Sequence, residues 1–358
     1  RPTHCLACNA AIEASDPTNI VPGQTIAYAP LPRTDEAIAT LPTMLHRWDV
    51  VILRRSDSPS SEIKRIVGLP GESVAIRDGH VWIDGRRATM TYAEFLEQAI
   101  LVGHWSPGDA MSIDDWLGAI ETPLRNDLPI NAHDSHALLP CDEFGVSLRV
   151  AEAPSTWNCR MQLATANGPL AVSIQRDAGS LNILFDGSTN THRPPDATPS
   201  TQVKCPADWQ PKWLHWIVME DRFLVADETR CLGSIELSTD PKDPSPPPTS
   251  INRLATWSPN SQGLRCDRGL VYRGRVMRGY GDAPQGQFPD GDGVVVLGDN
   301  VSISDDSRGA GAASVRIPLN AIRGRWISPG SPMESLLAQA ASVPSARLRA
   351  SFGKVSRR

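Results

Sequence analysis

From Cys141 to Leu237 the chain repeats one pattern: a short alternating apolar segment followed by glycine, aspartate or proline. The segments are Phe144–Val150, Cys159–Ala164, Leu170–Gln175, Leu181–Phe185, Trp213–Val218, Arg222–Asp227 and Ser234–Leu237. Successive side chains of a strand point to opposite faces, so a period of two marks strands with one buried face. Several such strands at regular spacing with turn residues between them read as a β-sandwich. The 31 prolines and 27 glycines favour many turns and short strands over long helices.

Around this stretch the pattern is less regular. A helix is expected over Tyr92–Val102, and Ser112-Ile113-Asp114-Asp115 has the form of a capped helix start. The proline-rich run at 240–249 is a stiff exposed loop or linker. At 358 residues and 38.8 kDa the chain exceeds the usual single-domain size, so two domains are expected. A net charge of −5 and a pI near 5.9 argue against a nucleic-acid partner. No apolar run approaches the roughly 18 residues a membrane helix needs, so any membrane anchor is expected outside this chain. The odd total of 7 cysteines leaves at least one thiol unpaired and does not settle the redox compartment.

Two blocks carry the chemistry. The first, SSEIKRIVGLPGESVAIRDGHVWIDG at 60–85, sets Lys64-Arg65 before apolar Ile66-Val67 and a Gly68-Leu69-Pro70-Gly71 turn. Ser73–Ile76 and His80–Ile83 alternate on either side of Asp78-Gly79, a strong two-residue hairpin signal. A lysine can act as a general base only when held neutral, which takes desolvation and a hydrogen-bond partner for its amine. The apolar residues after Lys64 suit such burial, whereas an isolated Lys-Arg pair is ordinarily an exposed edge.

The second block, VVVLGDNVSISDDSRG at 294–309, follows the apolar strand Val294–Leu297 with the turn residues Gly298-Asp299-Asn300 and then Ser304-Asp305-Asp306-Ser307-Arg308. A polar stretch rich in Ser and Asp is ordinarily a solvated loop.

Together the blocks resemble the bacterial type I signal peptidases, membrane-bound serine proteases that use a Ser/Lys dyad. The resemblance covers residues 47–87 and 288–326. It implies that Lys64 is the base, that Arg65 supports its strand, and that Ser304 aligns the Lys64 amine. Asp299 and Asn300 shape the loop, and Asp306 pairs with Arg308 to hold it. Three positions depart from the family pattern: Glu72 for an aspartate, Trp48 for a glycine, and Val301 for an arginine.

The Ser-Met-x-Pro block that carries the nucleophile in that family is not found in these residues. His4-Cys5-Leu6-Ala7-Cys8 looks like the Cys-x-x-Cys segment that a planctomycete-like type carries just after that block, so the serine is expected upstream of Arg1. The same cysteines suggest zinc only weakly, because a structural site wants four ligands and no second knuckle follows. A local disulfide or degenerate knuckle is the alternative.

The expected fold is mainly β: an antiparallel protease core built from residues 1–91 and 288–330, interrupted by an inserted domain at 92–287, with a tail at 331–358. The strands of the insertion are also similar to laminin-G or concanavalin-type jelly rolls. Its Trp157, Trp209, Trp213 and Trp216 are candidate contacts for a glycan or protein ligand, although tryptophans at alternating strand positions are ordinarily core. The resemblance implies an endopeptidase on the extracytoplasmic side of the cell membrane, acting on exported precursors with signal peptides and needing no cofactor. Two alternatives stay open: an inactive homologue whose insertion binds a partner, and a self-cleaving repressor-type Ser/Lys protease.

Overall fold

The computed structural model describes residues 3–5, 10–12, 19–20, 24–25, 28–31, 43–54, 61–77, 79–109, 112–120, 124, 141–165, 168–177, 179–187, 200–206, 208–220, 222–237, 255–259, 264–277, 286–298, 307, 315–326 and 331–342. The fold is mainly β, with every pairing antiparallel. The chain divides into two units: Arg1–Glu94, Asn126–Leu139 and Val276–Ser335 form the first, and Phe95–Arg125, Pro140–Arg275 and Leu336–Arg358 the second.

In the first unit Thr3–Cys5 (β1) pairs with Ala10–Ile12 (β2), and Asn19–Ile20 (β3) with Gln24–Thr25 (β4). Then come Tyr28–Pro30 (β5), Val50–Leu53 (β6), Glu62–Gly68 (β7), Val74–Arg77 (β8), His80–Ile83 (β9) and Arg86–Arg87 (β10). β8 and β9 make the expected hairpin, with Arg77 opposite His80 and Gly79 at φ 82°, as a tight two-residue turn requires. Asp78 lies outside the described residues.

The helix expected over Tyr92–Val102 stops at Gln98, and Ile100–Trp105 (β11) is a strand. The apolar run Ile100-Leu101-Val102 fits a pleated surface, and β11 pairs with the later strand at 265–273. The Ser112 cap forms as expected: its side chain accepts from the Asp115 N–H, and Ile113–Gly118 is helical.

The second unit continues with Phe144–Glu152 (β12), Trp157–Thr165 (β13), Gly168–Asp177 (β14), Ser180–Gly187 (β15), Ser200–Lys204 (β16), Trp213–Met219 (β17), Arg222–Asp227 (β18), Cys231–Glu236 (β19), Ala255–Pro259 (β20) and Arg265–Arg273 (β21). Each strand expected from the alternation is present, and β16, β20 and β21 are added to them. They form a six-stranded sheet, β11-β21-β12-β17-β18-β19, and a five-stranded sheet, β16-β15-β14-β13-β20. The sheets meet where Phe185 on β15 packs edge-on against Phe223 on β18, with ring centroids 5.9 Å apart. Gly233 lies under Ile183, where a Cβ would come within 3.3 Å of its Cδ1. Trp157, Trp213 and Trp216 are buried in this unit. Trp209 is half-buried and donates from Nε1 to Asp227.

The chain returns to the first unit through Gly286–Phe288 (β22), Val295–Leu297 (β23) and Ile322–Trp326 (β24). The sheets there run β23-β7-β6-β24-β5 and β10-β9-β8-β22. Period-two alternation of β7 and β23 feeds two cores. Ile66, Val294 and Val296 join Leu31, Val51 and Leu53 in one, while Val67, Val295 and Leu297 join Trp48, Val74, Ile76 and Phe288 in the other. Among the described residues no helix is long and apolar enough to cross a membrane.

Candidate active site

Lys64 sits mid-strand on β7, between β6 and β23, with Val51 as its partner on β6. Central placement buries a long side chain that an edge strand would leave in water, and Lys64 is 8% exposed. Its Nζ lies 3.2 Å from Glu62 Oε2, two residues back on the same face. Arg65 points the other way, is 5% exposed, and donates from Nη1 to the Trp48 carbonyl at 2.8 Å. Trp48 itself has φ 75°, the left-handed region that glycine tolerates best. That explains the physical cost of a tryptophan at a position where the resemblance expects glycine.

The turn after β7 is held from several sides. Glu72 accepts from the Leu69 N–H through Oε2 and pairs with Arg47 through Oε1, at 2.7 and 2.8 Å. Arg316 laces the same turn to the approach of β23: it donates to the backbone carbonyls of Leu69 and Gly293 at 3.3 and 2.7 Å, and to those of Pro289 and Glu72. Glu72 thus uses both oxygens of its carboxylate here.

The second block begins against the first. β23 runs antiparallel to β7 with Leu297 opposite Arg65 and Val296 opposite Ile66. Ser307 then docks back on β23: its N–H donates to the Val296 carbonyl at 3.1 Å, and its buried Oγ accepts from the Val296 N–H at 2.9 Å. A serine hydroxyl standing in for a ladder carbonyl leaves the β23 amide satisfied. Ser307 also accepts from the Val315 N–H. Sequence reasoning missed both Glu62 and Ser307 as members of this site. Glu62 was readable as the i−2 neighbour of Lys64 on a strand, and Ser307 is the central residue of the Asp-Ser-Arg triplet.

Of the remaining expected site residues, Asp299, Asn300, Ser304, Asp306 and Arg308 lie outside the described residues. Cys5 is the last residue of β1, and Cys8 lies outside the described residues. Among the described residues no cluster of three or more His, Cys, Asp or Glu side chains could hold a metal ion.

Residues 20–110 match the family described as signal peptidase, peptidase S26. Signal peptidase I V of Bacillus subtilis (strain 168) is 29% identical over 114 residues, which cover 30% of this chain and 66% of that protein. The chain thus spans just under two thirds of that relative's length. Among solved structures, a functionally unknown protein from Saccharomyces cerevisiae is similar over 42% of this chain and 70% of its own, with 12% identity and a TM-score of 0.21. Domains LG4-5 of the mouse laminin alpha1 chain are similar over 42% of this chain and 41% of theirs, with 9% identity and a TM-score of 0.20. Scores this low assign no shared fold.

Proposed function

We propose that this chain, a divergent relative of the type I signal peptidases, bears the base of a Ser/Lys dyad and, joined to a nucleophilic serine upstream of Arg1, cleaves signal peptides from exported precursors. The serine hydroxyl attacks the scissile carbonyl while Lys64 takes its proton. Lys64 returns that proton to the leaving amine, and water then releases the acyl group by the reverse sequence. Ser304 keeps the amine aligned, Arg65, Asp299 and Asn300 support the site, and an Asp306–Arg308 pair holds the loop. The substrate lies extended along an edge strand, with small pockets selecting small residues before the cut. The reaction calls for no metal or organic cofactor. The catalytic unit works on the extracytoplasmic side of the cell membrane.

The observation that carries this reading is the β7–β23 register, which sets Leu297 opposite Arg65 and so starts the second block beside the strand of Lys64. The anchoring of Ser307 on Val296 supports it further, because it returns the second block to β23, the neighbour of β7. The test is cleavage of a precursor bearing small residues before its cut site by the chain joined to its upstream residues. Cleavage that disappears in Lys64→Ala, in a variant that still folds, is expected. No cleavage by the folded protein would reject the reading.

A second reading has its own support. The Lys64–Glu62 contact at 3.2 Å has the form of a structural ion pair that fixes a strand, as in an inactive homologue. In that case residues 92–287, as a β-sandwich inserted into the core, act as a binding or assembly module for a glycan or protein.

A further inference from the structure

Three polar side chains from three neighbouring strands form one chain at the centre of the six-stranded sheet. Ser147 on β12 has its Oγ 2.7 Å from His215 Nδ1 on β17 and 2.9 Å from the Tyr272 hydroxyl on β21. All three residues are 0% exposed. The register brings them together: Ser147 faces His215 directly, and Gly145 faces Tyr272, where any Cβ would strike the ring at 2.4 Å. Trp213 stacks on the imidazole, with centroids 6.4 Å apart and planes 11° from parallel, and Phe95 covers Tyr272 at 6.1 Å. The other imidazole nitrogen, Nε2, is buried and meets no hydrogen-bond partner among the described residues.

This geometry suits a neutral ring. The least costly arrangement has Nδ1–H donating to Ser147 Oγ and the Ser147 hydroxyl donating to Tyr272, which leaves Nε2 as a bare lone pair. A second proton must go on Nε2, creating both a charge and a donor with nothing to receive it. Tyr272 offers no counter-charge, because burial pushes its hydroxyl pKa up.

The charged groups nearby are already engaged. On β18, Asp227 follows Ala226, the residue opposite His215. Its carboxylate accepts from the Thr229 and Arg230 amides, the Thr229 hydroxyl and Trp209 Nε1. Arg149 on β12 is held by Asp267 on β21 at 2.6 Å. Glu228 accepts from the amides of Lys212 and Trp213.

We propose that Ser147, His215 and Tyr272 form an acid-sensitive latch: it is closed at neutral pH, and protonation of His215 loosens the central strands β12, β17 and β21. The inference concerns the second unit alone and holds whether or not the chain is a protease.

Burial holds the His215 imidazole down at about 4, against an ordinary value of 6.5, while Asp227 pulls weakly the other way. A histidine whose folded pKa is depressed takes up its proton on unfolding. Its stability contribution is therefore complete above the unfolded value and is lost as pH falls toward the folded one. Between pH 7.5 and 4.5 this group alone raises the unfolding equilibrium constant about 70-fold.

The test is urea unfolding of the full chain across that range, read by tryptophan fluorescence, for wild type and His215→Gln. The glutamine can still bond to Ser147 but does not titrate. The variant is expected to lose the histidine's share of the acid dependence, narrowing the change by about 70-fold. An unchanged acid dependence would overturn the proposal. Should the variant fail to fold, imidazole nitrogen shifts of the wild type decide: a ring neutral at pH 5.5 supports the latch, and a charged one at that pH overturns it.

Discussion

Lys64 Nζ stands 3.2 Å from Glu62 Oε2 on the same face of β7, and both side chains are largely shielded from solvent. The contact ties the amine to one place on the strand, so Glu62 acts on Lys64 by position. Replacing Glu62 by Gln keeps the shape and a polar partner, whereas Glu62→Ala removes both. In the chain joined to its upstream residues, Glu62→Ala is expected to lose more kcat than Glu62→Gln, with both variants shown to be folded. Equal rates in the two variants would mean that Glu62 does not position the amine.

Trp48 combines a buried indole with left-handed backbone, φ 75°. Truncating a buried aromatic costs ~3–5 kcal/mol, and freeing one residue from the left-handed region returns ~1–2 kcal/mol. Trp48→Gly is therefore expected to lose roughly 1–4 kcal/mol in urea unfolding. Trp48→Ala should lose about 1 kcal/mol more than Trp48→Gly, because in this turn the left-handed backbone strains alanine and not glycine. An alanine variant more stable than the glycine one would refute the strain.

Gly68 closes β7 against β8 and β23. A Cβ there would come within 2.3 Å of Val74 Cγ2 and 3.2 Å of Val295 Cβ. Gly68→Ala is expected to cost ~1–3 kcal/mol by overpacking. Gly85 has open space but φ 79°, so Gly85→Ala should cost only ~1–2 kcal/mol, from backbone strain. Thermal or urea unfolding of the pair separates the two causes.

Ser307→Ala removes the Oγ that receives the Val296 amide and leaves a buried N–H unpaired. A loss of ~1–3 kcal/mol is expected. Under the proposed role of Ser304, activity of the chain joined to its upstream residues falls with it, and Ser307→Thr restores both in part. Hydrogen exchange at the Val296 amide gives the local readout: it should speed up in the alanine variant and slow again in the threonine one.

Much of the fold was legible because the strands are short apolar runs set between turn residues. Trp213–Met219 and Arg222–Asp227 stand where those runs placed them, but they are buried along nearly their whole length rather than on one face, as central strands between two covered sides are. The helix beginning at Tyr92 was read too far, since Ile100-Leu101-Val102 continues an apolar texture that helix and strand share and only pairing with β21 decides between them. Ser200–Lys204 escaped notice because it is an edge strand with little buried apolar surface to mark it. Arg265–Arg273 escaped because its charged first half and Gly269 interrupt the apolar pattern that marks the other strands. At the site, Lys64, Arg65 and the Gly-Leu-Pro-Gly turn were readable as a motif. The partners of that motif were not, because Arg316 reaches the turn from almost 250 residues away, a distance that no local pattern spans.

The most direct measurement of the central claim is single-turnover cleavage of a precursor with small residues before its cut site, by the chain joined to its upstream residues, as wild type, Lys64→Ala and Ser304→Ala. Circular dichroism and urea midpoints confirm that each variant is folded. The account predicts efficient cleavage by wild type, loss of at least about 100-fold in Lys64→Ala from removal of general-base catalysis, and a smaller loss in Ser304→Ala. A folded Lys64→Ala protein that cleaves at the wild-type rate would contradict it.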